Sequence, residues 1–180
     1  MSSAPRKASI SSYTFWLSHT PETIGSNTWG ATFPRVVTWV RFHDLLDDGR
    51  EFYVLNTHFD HASRHARERS AALPAQRIHG LDRSLPPLVT GDFNVAARKN
   101  PVYDAMPGAG LVDTWETAAG RGALYGTFHG YGPLTPNSDR IDRILSTPGV
   151  TTRRASVSTF SRNGQFPSDH LPVQAWVTLG

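Results

Sequence analysis

The sequence predicts an α/β or α+β fold, with helices packed on a mixed sheet. Two observations carry this. Short apolar runs rich in Val, Phe, Tyr and Trp dominate the chain. One long helix-forming stretch crosses between Thr57 and Leu88. At 180 residues the chain fits one domain, long enough to bury a substantial core.

Residues 1–12 read as a flexible lead-in, and the domain proper as residues 13–180. Tyr13 to Leu17 is a short aromatic strand. Ser18 to Pro34 is rich in Pro, Gly, Ser, Asn and Thr and reads as a long loop around Trp29 and Phe33. Loops of this length in compact domains are usually functional or mobile. Arg35 to Phe42 and Glu51 to Thr57 form a hairpin, with Asp47-Asp48-Gly49 as its turn signal.

Ala62 to Leu73 has helical composition, with Ser63 as N-cap. Pro74 is expected to kink or interrupt that helix, which resumes through Leu85. Pro87 to Thr90 is a short buried strand ending at Gly91-Asp92. Asn100-Pro101 starts a short helix that ends near Gly108. Gly110 to Trp115 is irregular to helical, and Gly126 to Tyr131 a short strand. The final strands are Arg140 to Ser146, Thr151 to Phe160 and Leu171 to Leu179.

Composition narrows the function. Hydrophobic residues make up 38% and charged residues 18%, as in a soluble globular protein and not a disordered one. No run of about 18 apolar residues exists, so no membrane span is expected. The absence of Cys excludes disulfides, thiolate zinc sites and cysteine nucleophiles. Met1 to Ser12 is polar and lacks an apolar core, so as it stands it does not read as a signal peptide. The chain as it stands reads as cytoplasmic, or as secreted if a signal lies upstream. Of the 18 basic residues only Lys7 and Lys99 are lysines. The planar fork of Arg suits phosphate, although a GC-rich genome produces the same bias. A net charge of +3 favours a polyanion only weakly.

Several chemistry-bearing residues fall at strand ends. Asp92 and Asn94, after Gly91, could aim a carboxylate and an amide at a water and a phosphoryl oxygen; G-D-x-N alone also reads as a turn. Asp169-His170 leads into the alternating strand Leu171, Val173, Ala175, Val177, and an acid with an imidazole at a strand mouth suggests catalysis. His58-Phe59-Asp60-His61 follows another strand; a lone His there would more often be packed. Asp142 alternates in phase with Ile144, which turns it into a packed layer where it needs a partner. Together these residues could supply a base, charge neutralisation and a cation site for phosphoester hydrolysis. Oxygen ligands without Cys favour Mg²⁺ or Mn²⁺ over zinc.

Four strings occur in order: N-T-H-F-D-H, G-D-F-N, S-D-R-I-D-R-I-L and S-D-H-L-P-V. They resemble the later signature motifs of the endonuclease/exonuclease/phosphatase superfamily, over roughly Phe15 to Leu179. The resemblance implies a DNase-like two-sheet α/β sandwich of four layers and a metal-dependent phosphoric ester hydrolase. It implies that Asp92 activates the water and that Asn94, His58 and His170 contact the phosphate. Asp142 would orient His170, and Asp169 would serve the metal site. The implied Mg²⁺ or Mn²⁺ ligands are Asp169, Asp92 and Asn94. Arg35, His61, Arg67 and His129 would touch substrate.

The family's opening strand with its Asn, and the Gln-Glu pair whose Glu is the main metal ligand, have no counterpart before Asn56. Glu22 and Glu51 lack that context, so the sandwich is expected to be N-terminally incomplete. The substrate could be a nucleic acid, a nucleotide, a sugar phosphate or a lipid head group. The competing reading is a catalytically silent fragment that binds a phosphate ligand or a protein.

Overall fold

A computed structural model describes residues 7–45, 49–97, 100–108 and 110–180. In chain order the elements are β1 (Lys7–Trp16), β2 (Val36–Asp44), β3 (Glu51–His58), α1 (Arg64–Ile78) and β4 (Pro87–Asp92). Then follow α2 (Pro101–Gly108), β5 (Val112–Asp113), α3 (Thr114–Thr117), β6 (Gly120–Arg121), β7 (Asp142–Ser146), β8 (Thr151–Val157) and β9 (Val173–Thr178).

Six strands form one mixed sheet in the order β1-β2-β3-β4-β7-β5, and three form a second in the order β6-β8-β9. Only β3 and β4 pair in parallel within the first sheet, and α1 supplies the crossover that this requires. Period-two alternation sorts the first sheet's faces. Val37, Tyr53, Leu55, Val89 and Leu145 turn into a core shared with Ala66, Ala71 and Ile78 of α1 and Val102 and Met106 of α2. Asn56, His58, Asp92 and Asp142 occupy the opposite phase. The second sheet builds a smaller core from Trp115, Ala118, Ala155, Val157 and Leu171. In β9, Val173, Ala175 and Val177 are half-buried, while Gln174, Trp176 and Thr178 are exposed. Strand β9 lies against β7, pairs with β8 alone and forms an edge of its sheet.

The hairpin of β2 and β3, the Ser63 N-cap (accepting from the Ala66 N–H) and the strand ending in Gly91-Asp92 match expectation. The hairpin's Asp47 and Asp48, and residues 1–6 of the lead-in, lie outside the described residues. Residues 7–12, expected within the lead-in, are strand. Lys7 pairs with Asp44, because β2 runs long enough to satisfy the polar Ser-rich segment's backbone through a bulge between Ser9 and Ser11. Pro74 does not interrupt α1. It is buried within a continuous helix, where the packed ring compensates for one missing N–H. The helix stops at Ile78, not Leu85; the Gly80 and Leu81 N–H groups turn back to the carbonyls of Arg77 and Ile78. Gly126 to Tyr131 is no strand, since Gly130 and Tyr131 adopt φ of +56° and +60°; only a Phe128–His170 bridge remains. The Ser18 to Pro34 loop is anchored by buried Trp29 and by the Leu17 N–H donating to the Arg35 carbonyl at 2.7 Å.

Candidate active site

Strand register assembles the site. His58 pairs with Asp92 across β3 and β4, and Asp92 pairs with Asp142 across β4 and β7. Three polar side chains therefore fall in one row on one face. His170 reaches that row from the second sheet, just before β9. The Leu171 N–H donates to the Thr127 carbonyl at 2.7 Å and the His129 N–H to the Asp169 carbonyl at 3.0 Å, which pins its approach.

In the resulting cluster, Asp92 Oδ2 lies 3.5 Å from His58 Nε2 and 4.0 Å from His170 Nε2. His170 Nδ1 donates to Asp142 Oδ2 at 2.8 Å, which leaves Nε2 facing Asp92. Asn56, Thr90, Ile144 and Val173 complete a cleft of about 380 Å³ around His58, Asp92 and Asp142.

Local backbone holds these groups. Gly91 has φ of +153°, and a Cβ there would collide with the Thr57 carbonyl oxygen, so β4 can approach β3 this closely only with glycine. Asn94, at φ of +50°, donates its backbone N–H to Asp92 Oδ1 at 2.7 Å. Its side-chain amide donates to the Phe59 carbonyl at 2.9 Å and to Asp92 Oδ2 at 3.3 Å. Thr127 is buried, and its hydroxyl accepts the N–H groups of Ile141 (2.9 Å) and Asp142 (3.1 Å).

Beneath the row lies a buried stack made from its sequence neighbours. Phe59 meets Phe93 edge-on at 5.2 Å, and the Arg143 guanidinium sits 4.4 Å over Phe93 and 5.0 Å over Tyr103. His58, Asp92 and Asp142 each precede one member of that stack. Arg143 is 1% exposed and has no hydrogen-bond partner among the described residues, and burial pulls its pKa down to about 10.

Electrostatics divide the two imidazoles. Burial, then Arg35 and His170, push His58 below the ordinary histidine value, against the pull of Asp92 and Asp142. Burial also opposes charge on His170, but the Asp142 hydrogen bond and the charges of Asp142, Asp92 and Asp169 outweigh it and raise its pKa. Asp92 is raised by burial and by Asp142, despite the Asn94 N–H and the two imidazoles.

The other expected contacts fall around this cluster. Arg35 donates to His61 Nδ1 at 3.4 Å, lies 3.9 Å from Asp60 and acts electrostatically on His58; His61 is exposed. Arg67 Nη1 donates to the carbonyls of Asp60 and His61, both at 2.9 Å, and so braces the loop. His129 bonds the Ser168 carbonyl at 3.1 Å and packs on Phe166 at 4.6 Å, which supports the segment carrying His170. The Asp169 carboxylate accepts from Ser168 Oγ and does not join the Asp92–Asp142–His170 group. Glu22 pairs with Arg77, and Glu51 with Arg41.

Sequence reasoning missed Thr127, Phe128 and Arg143, and noted Asp60 without giving it a role. Asp60 is fully buried and accepts N–H bonds from Thr32 (2.7 Å), Ala62 (3.0 Å) and Ser63 (2.7 Å), tying two loops beside Arg35 and His61. The one available signal was its place between two histidines.

A candidate cation site adjoins the cleft. Ligand atoms of Asp92, Asp142 and His170 lie within 4.8 Å of one another. The Asp142 carboxylate opposes the ionisation of Asp92. Carboxylate oxygens suit Mg²⁺ or Mn²⁺, and the remaining imidazole nitrogen of His170 serves as a ligand only when it carries no proton. Among the described residues no helix is long and apolar enough to cross a membrane.

The sequence model of the Endonuclease/Exonuclease/phosphatase family matches residues 2–170. A mannosyl-6-phosphatase from Bacteroides thetaiotaomicron is 35% identical and superposes with a TM-score of 0.87, over 97% of this chain and 68% of that one. A Bacteroides vulgatus endonuclease/exonuclease/phosphatase is 31% identical with a TM-score of 0.88, over 97% and 67%. The human Nocturnin catalytic domain with bound sulfate anion is 17% identical and shares the fold, with a TM-score of 0.71 over 97% and 61%. The chain thus spans about two thirds of the length of these relatives. A comparison with curated proteins returns no match. Family members hydrolyse phosphoester bonds and generally use divalent metals. Matched over most of its length and folded as a two-sheet α/β sandwich, the chain belongs to the endonuclease/exonuclease/phosphatase family.

Proposed function

We propose that this chain hydrolyses a phosphoester with a divalent cation, Mg²⁺ or Mn²⁺. The observation that carries the reading is the convergence of Asp92, His58, His170 and Asp142 in one cluster, at 3.5, 4.0 and 2.8 Å. Asp92, whose burial raises its proton affinity, takes the proton of the attacking water. His170, kept protonated by Asp142, gives its Nε2 proton to the departing ester oxygen. His58 is held neutral and donates a hydrogen bond to a phosphoryl oxygen. Two imidazoles pushed apart in proton affinity are suited to separate roles. The carboxylates of Asp92 and Asp142 would hold the cation, which neutralises phosphate charge when bound, with Asn94 and Asp169 at the border of that set, while His170, the proton donor, stays outside it. Arg35 and His61 flank the His58 side and steady the anionic substrate.

Of the four substrate classes, a sugar phosphate is favoured by the 35% likeness to a mannosyl-6-phosphatase. Hydrolysis of mannose 6-phosphate and of bis-p-nitrophenyl phosphate, with Mg²⁺, Mn²⁺ or EDTA, tests the proposal beside Asp92→Ala. Metal-dependent turnover that the variant abolishes supports it. Turnover unchanged in the variant sinks it.

The second reading, a phosphate-binding module without turnover, draws on one observation. Glu22 and Glu51 are engaged by Arg77 and Arg41, and among the described residues no glutamate joins the cluster. Phosphate binding without turnover would favour it.

A further inference from the structure

We propose that a second cavity, beside the Asp92 cluster, binds a neutral sugar ring through Arg121 and Asp139. The inference stands apart from the hydrolase reading and needs neither a cation nor turnover.

The cavity measures about 280 Å³ and shares no lining residue with the cleft around His58, Asp92 and Asp142. Its size is near the lower end of ligand pockets, about 300 Å³, which suits one ring and not an extended chain. Trp115, Glu116 and Arg140 form its inner wall, and exposed Arg121, Asn137 and Asp139 form its rim. The chain segments that bear Asn94 and Asp142 also wall the cavity, at Ala97 and Arg140, so the site adjoins the cluster.

The inner wall is held without a ligand. Arg140, 3% exposed, donates to Asp113 at 2.9 Å, lies 3.6 Å from Glu116 and stacks 4.8 Å over Trp115. The Ala97 N–H donates to the Arg140 carbonyl at 3.1 Å and the Asn137 N–H to the Leu124 carbonyl at 2.9 Å, which ties the surrounding loops together. A Cβ on Gly126 would lie 3.1 Å from Ser138 Cβ, so glycine lets these two loops close up. A preformed wall lowers the ordering cost of binding.

The rim, in contrast, is unused. Among the described residues the side chains of Arg121, Asn137 and Asp139 have no partner, and Arg121 and Asp139 form no ion pair despite their opposite charges. The sign of the lining then selects the ligand. Two arginines face two carboxylates, and Arg140 is already matched by Asp113. An anion finds no surplus of positive charge, which separates this cavity from a phosphate site. What the rim offers is a planar donor fork on Arg121, a two-oxygen acceptor on Asp139 and an amide on Asn137 that both donates and accepts. Neighbouring hydroxyls on a ring satisfy such groups in pairs without bringing charge. Trp115 and Leu124 add an apolar strip for the C–H face of that ring.

The test is proton–nitrogen correlation NMR of the full chain titrated with methyl α-mannopyranoside, methyl β-galactopyranoside, glycine as a zwitterion, and inorganic phosphate. The Trp115 indole and Asn137 amide signals should move with a glycoside and saturate with a Kd of roughly 1 mM. Asp139→Ala and Arg121→Ala should each weaken that binding about tenfold at an unchanged melting temperature, while Arg64→Ala, at another exposed arginine, leaves it alone. Binding of one glycoside and not the other assigns the ring's stereochemistry and supports the site. No shift at Trp115 and Asn137 with either glycoside at tens of millimolar, or a Kd unchanged in both rim variants, overturns it. Displacement of the sugar by phosphate, or shifts there with glycine alone, overturns it as well.

Discussion

Asp142 and His170 join the two sheets: the hydrogen bond from His170 Nδ1 to Asp142 Oδ2, at 2.8 Å, ties the first residue of β7 to the segment that leads into β9. The same bond orients the proposed acid, so its protonation governs both packing and chemistry.

The raised pKa of His170 gives a pH dependence with a definite sign. A group whose folded pKa is raised contributes stability below its ordinary value of 6.5 and loses it as pH rises through the folded value. The melting temperature gap between the wild type and His170→Gln should therefore be widest near pH 6 and narrow at higher pH. Imidazole carbon shifts should place the His170 midpoint above 6.5 in the wild type and lower in Asp142→Asn. A His170 midpoint unmoved by Asp142→Asn would exclude the clasp.

Gly91→Ala should destabilise the fold by about 3 kcal/mol or more, because the new Cβ meets the Thr57 backbone and the φ is unfavourable. Urea unfolding measures it. A loss below about 1 kcal/mol would mean that β3 and β4 separate easily.

Asp60 should stabilise the protein at neutral pH and not in acid. Burial alone would raise its pKa, but the N–H groups of Ser63, Thr32 and Ala62, with Arg35, hold it below 3.8. A depressed carboxylate contributes above its unfolded value and loses that contribution as pH falls through the folded one. Asp60→Asn should cost about 2 kcal/mol at pH 7, and the difference should shrink below about pH 4. Urea midpoints across that range decide it.

Arg143→Met should leave stability unchanged or raised, since it removes a buried charge without a hydrogen-bond partner. It should also lower kcat about tenfold, because Phe93 loses the cation that helps fix the Asp92–Asn94 turn. Melting temperature and kcat, measured together, separate the two effects. A fall in both would make Arg143 a structural element only.

The sequence carried much of the site because strand alternation is simple. His58, Asp92 and Asp142 sit in phase with polar positions, and Phe59 and Phe93 after the first two are apolar. Register then brings the three together, although pairing between β3 and β4 is invisible until the crossover is known. Arg143 escaped notice because a charged residue is read as facing solvent, whereas two ring faces here admit it to the interior. Phe128 was hidden in a segment read as a strand; two positive φ angles turn it into a pinned loop. Pro74 and Lys7 to Ser12 went astray where tertiary packing and a long neighbouring strand overrode local propensity.

The edge position of β9 also governs how the protein behaves in a tube. Among the described residues β9 pairs with β8 alone, which leaves a row of its backbone groups without a strand partner there, beside a half-exposed Trp176. Such an edge accepts another strand from any chain that offers one, so self-association should grow with concentration. A lysine on the outward phase of β9, at Gln174 or Thr178, is the substitution that would keep preparations monodisperse without touching the cleft.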